Sequence, residues 1–377
     1  MWPREQINRF IKNLVCEYYR HRPLEEPSYI HLREIALESL EDEKYIRHLS
    51  FAYMDQLYNY IINVKTPLHL YYSSALYLNP GAERMEEKTW IGSEILFDLD
   101  ADKYEGCRNT VYICVADNLA SSEHIDKCPN GEKPIEYVGV PWQCIEKALN
   151  DSMKLNDILK DELGFKNIKI YFSGNRGFHI KIYDNDVLDL GRDERRLIAD
   201  YISCEGLVVD KVFPSYKNNV VLDAHEAGLR KRVFNIASKQ GLISRRNMLG
   251  FKDIYVIRKD HLEEILKESC IEIDRVVTMD ITRLSRFGNS LNMKAGLRVV
   301  EITKNIDPKE LSYSTFSPFK GFVKIKPVAS LNNILVLDQR ISIKKGDVIK
   351  LEAELAIYLV LKKLAVPIDA SDLEVKV

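Results

Sequence analysis

The segment Glu94-Ile95-Leu96-Phe97-Asp98-Leu99-Asp100 sets two carboxylates two residues apart in an apolar run. In an extended strand side chains alternate faces at ~3.3 Å rise per residue, so Asp98 and Asp100 share a face, roughly 6.6 Å apart. Ile95, Phe97 and Leu99 share the opposite face and can anchor the strand in a core. Two such carboxylates can bridge a pair of divalent cations ~3.5 to 4 Å apart, the arrangement that activates a hydroxyl and stabilises a leaving pyrophosphate. Acidic pairs also occur as solvated strand ends, as turn caps and as metal and sugar-nucleotide sites of glycosyltransferases, so the pair by itself leaves these open.

A second segment, Ser173-Gly174-Asn175-Arg176-Gly177-Phe178-His179, has two glycines that allow a tight turn and a close approach of backbone to ligand. Arg176 can pair with phosphate oxygens, Ser173 offers a hydroxyl and His179 an imidazole N–H, together a cradle for a triphosphate. The plain alternative is a glycine-rich hairpin turn with a half-buried histidine. An anion cradle and a metal pair in one chain are what nucleotidyl transfer requires, because that chemistry is mostly positioning and charge stabilisation. A third segment adds Asp274 after Ile273, then Arg283 and Arg286, then a loop carrying Lys294. Asp274 can complete a carboxylate triad, while Asp274 and Asp280 are equally suited to start helices.

The surrounding pattern supplies the elements that must position these groups. Residues 4–22 and 142–162 have apolar positions at helical spacing, the second ended by Gly164. Ile168, Ile170 and Phe172 alternate with polar residues, and alternation resumes from Phe178 to Tyr183, predicting a β-hairpin around the glycine turn. Residues 102–140 show little periodicity and look like an insertion. Helices are expected to dominate 192–269, which includes Arg230-Lys231-Arg232 and Arg245-Arg246, before a strand at Ile271-Glu272-Ile273-Asp274. Thr278 to Phe287 reads as one or two helical turns. Strands at 321–325 and 334–337 and a helix at 351–363 complete the chain.

The 377 residues are 46% hydrophobic, enough for a full core, with a net charge of −2 that confines any nucleic-acid surface to local basic patches. No apolar run approaches a membrane span, and the N-terminus lacks the apolar core of an export signal, so the expected location is cytoplasmic. Seven cysteines in such a chain argue against a disulfide framework and towards free thiols or a metal site.

Taken in order, these segments resemble the small catalytic subunit of archaeal and eukaryotic DNA primases. The markers are Arg33-Glu34-Ile35-Ala36-Leu37, Tyr45-Ile46-Arg47-His48-Leu49-Ser50-Phe51, Tyr72-Ser73-Ser74-Ala75-Leu76-Tyr77, Gly92-Ser93-Glu94 leading into the acidic strand, Ser173 to His179, and Ile273-Asp274 through Leu297. The resemblance implies an α/β (α+β) mixed-sheet primase fold: a catalytic core of residues 1–101, 141–185 and 270–377, a zinc-binding insertion at 102–140 and a helical subdomain at 186–269. It implies that Asp98, Asp100 and Asp274 bind two Mg²⁺ or Mn²⁺ ions and that Ser173, Arg176 and His179 hold the incoming nucleoside triphosphate, with Arg286, Lys294 and Arg47 as further members of that pocket. Asn292 stands where similar chains commonly have histidine.

Such primases usually carry a zinc stem after the acidic strand. Here the resemblance points to Cys114, Asp117, His124 and Cys128 as structural Zn²⁺ ligands, with Cys107 as the competing fourth. Cys144 falls at an apolar helix position, and Cys16, Cys204 and Cys270 read as ordinary residues. The implied activity is synthesis of short RNA primers on single-stranded DNA, with DNA primers left open, in a heterodimer with a large subunit. A primer-extending repair or plasmid polymerase of the same superfamily and a metal-dependent glycosyltransferase are the alternatives.

Overall fold

Two four-stranded antiparallel sheets carry the candidate residues. The computed structural model describes residues 4–223, 225–248, 251–303 and 311–377. In the first sheet the strands run in the order Leu284–Arg286, Pro67–Ser73, Ile35–Ser39, Lys44–Leu49; in the second, Val300–Glu301, Ile168–Phe172, Gly177–Ile182, Ile95–Asp100. The glycine turn does form a hairpin, with Tyr171 opposite His179 and Phe172 opposite Phe178. The acidic strand pairs with its outer edge, setting Asp98 opposite His179 and Asp100 opposite Gly177. This register puts both carboxylates and the histidine on one face.

The opposite face is apolar. Phe97, Leu99, Phe178 and Ile180 are fully buried in a core shared with Ile145, Ala148 and Leu149 of the Trp142–Asp161 helix. That helix gives way to Gly164 at φ 79°, the left-handed conformation expected of a glycine just past a helix end. The Arg4–Arg20 helix buries Ile7, Ile11, Leu14, Val15 and Tyr18 against the same core. Lys181, two residues past His179, joins the sheets: its buried ammonium donates to the Arg286 carbonyl at 2.8 Å and the Tyr72 hydroxyl at 3.1 Å.

Several elements differ from expectation. The α+β class holds, but every described strand pairing in the two sheets is antiparallel, where the resemblance implied a mixed sheet. Residues 102–140 contain a three-stranded sheet of Asn109–Cys114, Leu119–Ser121 and Ile135–Gly139. Its central strand is partly buried along most of its length, so no two-residue alternation marks it in the sequence. The 186–269 stretch is only partly helical. A four-stranded sheet, Ser215–Tyr216, Asn219–Asp223, Phe251–Arg258 and Ser244–Met248, packs with the Gly228–Lys239 and Lys259–Ser269 helices around a separate core that includes Phe213, Val220, Leu222, Val233 and Ile265. Ile271 to Asp274 form no strand, and 278–287 holds only the end of the short helix Arg275–Met279 before the strand Leu284–Arg286.

The cysteines also depart from expectation. Cys107 bonds to Cys144, Cys114 to Cys128 and Cys204 to Cys270, leaving Cys16 as the free thiol. The first tethers the insertion to the long helix, and the third staples the two ends of the segment that holds the separate core. The basic cluster at 230–232 is absorbed by the fold as well. Arg230 donates to the Val212 and Val221 carbonyls and pairs with Glu226, while Arg232 pairs with Glu162 and donates to the Ser269 carbonyl.

Candidate active site

Asp274 reaches the acidic strand through the backbone: its N–H donates to the Asp98 carbonyl at 3.1 Å. Its side chain caps the Arg275–Met279 helix, accepting from the Val276 N–H at 3.1 Å, and its other oxygen lies 3.6 Å from the Lys103 ammonium. Asp274 thus starts a helix and also stands beside the acidic strand. Asp280 is spent on a turn, accepting from the Thr282 N–H at 2.9 Å and hydroxyl at 2.8 Å. Asp98, Asp100 and Asp274 line one small pocket with Lys103, Tyr104, Glu272 and Ile273.

Crowding of these acids shows in their protonation. Burial first, then Asp100 and Asp274, push Asp98 up to about 7 despite Lys103 and Arg283. Burial and Asp102 likewise raise Asp100, with Lys103 and Arg176 opposing. One Asp98 oxygen, Oδ1, is buried without a hydrogen-bond partner, 3.7 Å from His179 Nε2. A carboxylate oxygen aimed into a polar pocket, unpaired and beside two more carboxylates, fits a divalent cation. His179 is held well below its ordinary value by burial, then by Lys181, Arg286 and Arg283, so it is a neutral imidazole despite facing Asp98. The cations and desolvation outweigh one partly protonated carboxylate.

The hairpin turn is shaped to lie against this strand. A Cβ at Gly177 would stand 2.5 Å from the Leu99 carbonyl oxygen and 2.9 Å from Asp100 Oδ1, so only glycine fits there. Gly174 has φ 77°, and a Cβ there would meet Asn292 Cβ at 2.7 Å. The Ser173 hydroxyl accepts from the Gly177 N–H at 3.2 Å, closing the turn. Buried Asn292 donates to the Ser173 carbonyl at 2.9 Å, so the residue that departs from the usual histidine fixes the turn. Arg176 pairs with Asp102 at 2.9 Å, beside the carboxylates.

The other expected residues belong to the first sheet and to the loop that follows its Leu284–Arg286 strand. Arg286 is buried on the first sheet, 3.3 Å from His69 Nδ1 and stacked over Tyr71 at 4.7 Å. Lys294 shares a cavity of about 1000 Å³ with His69. Arg47 is paired with buried Glu34 at 2.9 Å, a structural contact that binds the Lys44–Leu49 strand to the sheet. Sequence alone does not single out Lys103 and Glu272, which carry no spacing signal, Asp102, which continues the two-residue spacing of Asp98 and Asp100 into the following turn, or His69, whose polar side chain sits in an apolar strand.

The four expected zinc ligands do not converge. Cys114, Asp117 and Cys128 lie together, with ligand atoms within 4.8 Å of one another, but the two sulfurs are joined. His124 turns instead to Asp126 at 2.8 Å and packs edge-on against Tyr112, and Cys107 is committed to Cys144. Disulfide sulfurs offer no thiolates, so this oxidised donor set does not fit zinc.

A neutral imidazole and a cationic turn beside a half-buried carboxylate cluster make an arrangement suited to metal-dependent nucleotidyl transfer. The family described as DNA primase small subunit matches residues 143–304. The DNA primase small subunit PriS of Staphylothermus marinus is 45% identical over 99% of this chain and 98% of its own length. Those of Saccharolobus islandicus, 36% identical over 95% of this chain and 94% of theirs, and Saccharolobus solfataricus, 35% identical over 94% of each, are similar along the same span. The chain belongs to the DNA primase small subunit family. Neither a glycosyltransferase nor a repair polymerase finds support in these relatives.

Proposed function

We propose that this chain is the catalytic subunit of a DNA primase, a nucleotidyltransferase that makes primers, and that Asp98, Asp100 and Asp274 are its metal-binding carboxylates. The observation that carries the assignment is the Asp274 N–H bond to the Asp98 carbonyl, which sets the third acid beside an unpaired buried carboxylate oxygen. Two Mg²⁺ or Mn²⁺ ions held there would activate a 3′-hydroxyl and neutralise the departing pyrophosphate. Arg176, from the hairpin turn, meets the triphosphate by charge-assisted hydrogen bonds. Neutral His179 donates an N–H to a phosphate oxygen without adding charge to the metal pocket. The Ser173 to Gly177 turn brings backbone close to the nucleotide, and Arg286 and Lys294 widen the cationic wall.

The partners follow from this chemistry: nucleoside triphosphates, a single-stranded DNA template and, as the small-subunit naming of the relatives suggests, a large subunit in a heterodimer. The division into a catalytic core, a 102–140 insertion and a 186–269 subdomain belongs to the same proposal, with the separate core in the last segment as its support. Among the described residues no helix is long and apolar enough to cross a membrane. The test is synthesis from labelled ATP or dATP on unprimed single-stranded DNA, with and without the large subunit. Asp98→Ala and Asp100→Ala should abolish synthesis while the far-ultraviolet circular dichroism is unchanged; retained synthesis refutes the assignment. Comparison with extension of a labelled primer separates starting a chain from lengthening one.

A further inference from the structure

The C-terminal helix Ala353–Leu361 is buried along almost its whole length, yet it ends in a cation that enters the active-site region. Lys362 lines a narrow cleft with Asn175 and Arg176 of the hairpin turn. It also lines the large cavity that holds His69 and Lys294. No other described residue from beyond position 340 lies on both. Its ammonium sits 4.9 Å over the Tyr358 ring, and no carboxylate lies within ion-pairing distance of it among the described residues.

Resting on the nucleotide-pocket reading above, we propose that Lys362 is a phosphate-binding residue which, with Arg176 and Lys294, grips the outer phosphates of the incoming nucleoside triphosphate. The order of the groups carries the argument. Arg176 pairs with Asp102, two residues past Asp100, and shares its cleft with Lys362, which in turn shares its cavity with Lys294. A triphosphate with its α-phosphate at the carboxylates therefore runs past Arg176 towards Lys362 and Lys294. Three cations come together there: Asp102 is already matched to Arg176, and the carboxylates that line the large cavity, Glu38, Glu43 and Glu132, form no ion pair with Lys294 or Lys362 among the described residues.

That convergence is costly without an anion, and the protonation of the groups reflects it. Burial, then Arg176 and Lys294, bring Lys362 down to about 8. Burial, Arg286, Lys294 and Lys362 push His69 down to about 2, so the histidine beside them is neutral. A polyanion relieves this repulsion, and a helix that is otherwise plain core gains a reason to end where it does. Lys362 lies outside residues 143–304, the span matched by the family, which explains why motif reading passes over it.

The experiment is steady-state extension of a primed template by the full-length protein with ATP as the varied nucleotide and ADP as competitor. Lys362→Met should raise the KM for ATP by about tenfold and leave kcat within about twofold, because a charge-assisted contact to the outer phosphates is lost and the reacting centre is untouched. The inhibition constant of ADP, which lacks the terminal phosphate, should change by less than about threefold. Lys362→Arg should restore most of the affinity. Unchanged KM in Lys362→Met, or a fall in kcat alone, overturns the proposal; if the Met variant melts early, Lys362→Gln and Lys362→Arg carry the comparison. Asp98→Ala run alongside separates the two claims: an active Asp98→Ala sinks the pocket reading, whereas an inactive one beside a normal Lys362→Met sinks the role of Lys362 alone.

Discussion

Replacing Asp98 by asparagine should stabilise the metal-free protein while destroying its activity. Asp98 is pushed from 3.8 up to about 7 by burial and by its acidic neighbours, so the folded state holds its proton more tightly than the unfolded chain does. As pH rises above the unfolded value the unfolded chain releases that proton first. Stability therefore falls with rising pH and the loss is complete above the folded value. Three pH decades at about 1.4 kcal/mol each set an upper bound of roughly 4 kcal/mol. For a chain of this size that corresponds to about 5 °C in melting temperature. The assay is thermal unfolding in chelator from about pH 4 to about pH 8. Asp98→Asn should melt above the unsubstituted protein at about pH 8, the gap closing towards pH 4, and millimolar Mn²⁺ should narrow it at high pH by stabilising only the protein with the full carboxylate set. An asparagine variant that melts at or below the unsubstituted protein at about pH 8 in chelator would refute the claim that these carboxylates repel one another in the fold.

Other outcomes follow from the same geometry. Gly177→Ala should lower both stability and primer synthesis, since its Cβ meets the Leu99 carbonyl at 2.5 Å; a melting temperature unchanged from that of the unsubstituted protein would contradict this packing. Asn292→Ala leaves the buried Ser173 carbonyl unpaired and should cost about 1–3 kcal/mol in denaturant unfolding while raising the KM for nucleotide, and it is wrong if neither moves. Thiol titration of the denatured, unreduced protein should find one reactive cysteine of the seven, Cys16; three or more would argue against the disulfide pattern. Cys204→Ala should lower stability by up to about 4 kcal/mol, the entropy of a loop this long, measured by urea unfolding without reductant.

The hairpin and the acidic strand were legible because alternation with a period of two is a property of neighbouring residues alone. So were the long helix ended by Gly164 and the outline of the Ser173 to His179 turn. Asp274 was legible only through resemblance: its spacing fits a helix cap, and it is one, but the contact with Asp98 spans residues far apart in sequence. The small sheets at 109–139 and 215–258 went unread for different reasons. The first has a strand partly buried on both faces, and in the second the burial of Val220 and Leu222 alternates over only five residues beside conspicuous basic clusters. The cysteine pairing was misjudged because compartment arguments concern averages, whereas a bond needs only two sulfurs brought together by the fold. Lys362 was invisible because nothing near it in sequence does chemistry.

The central claim is that Asp274, and not the equally plausible Asp280, completes the catalytic carboxylates. Primer synthesis on unprimed single-stranded DNA by Asp274→Asn and Asp280→Asn, measured side by side with Mn²⁺, tests it most directly. The structure calls for a loss of at least about a thousandfold in Asp274→Asn, an effect of the size seen when a principal electrostatic group is removed, with Asp280→Asn within about threefold of the unsubstituted protein. Synthesis retained by Asp274→Asn, or lost only in Asp280→Asn, would contradict the site as described.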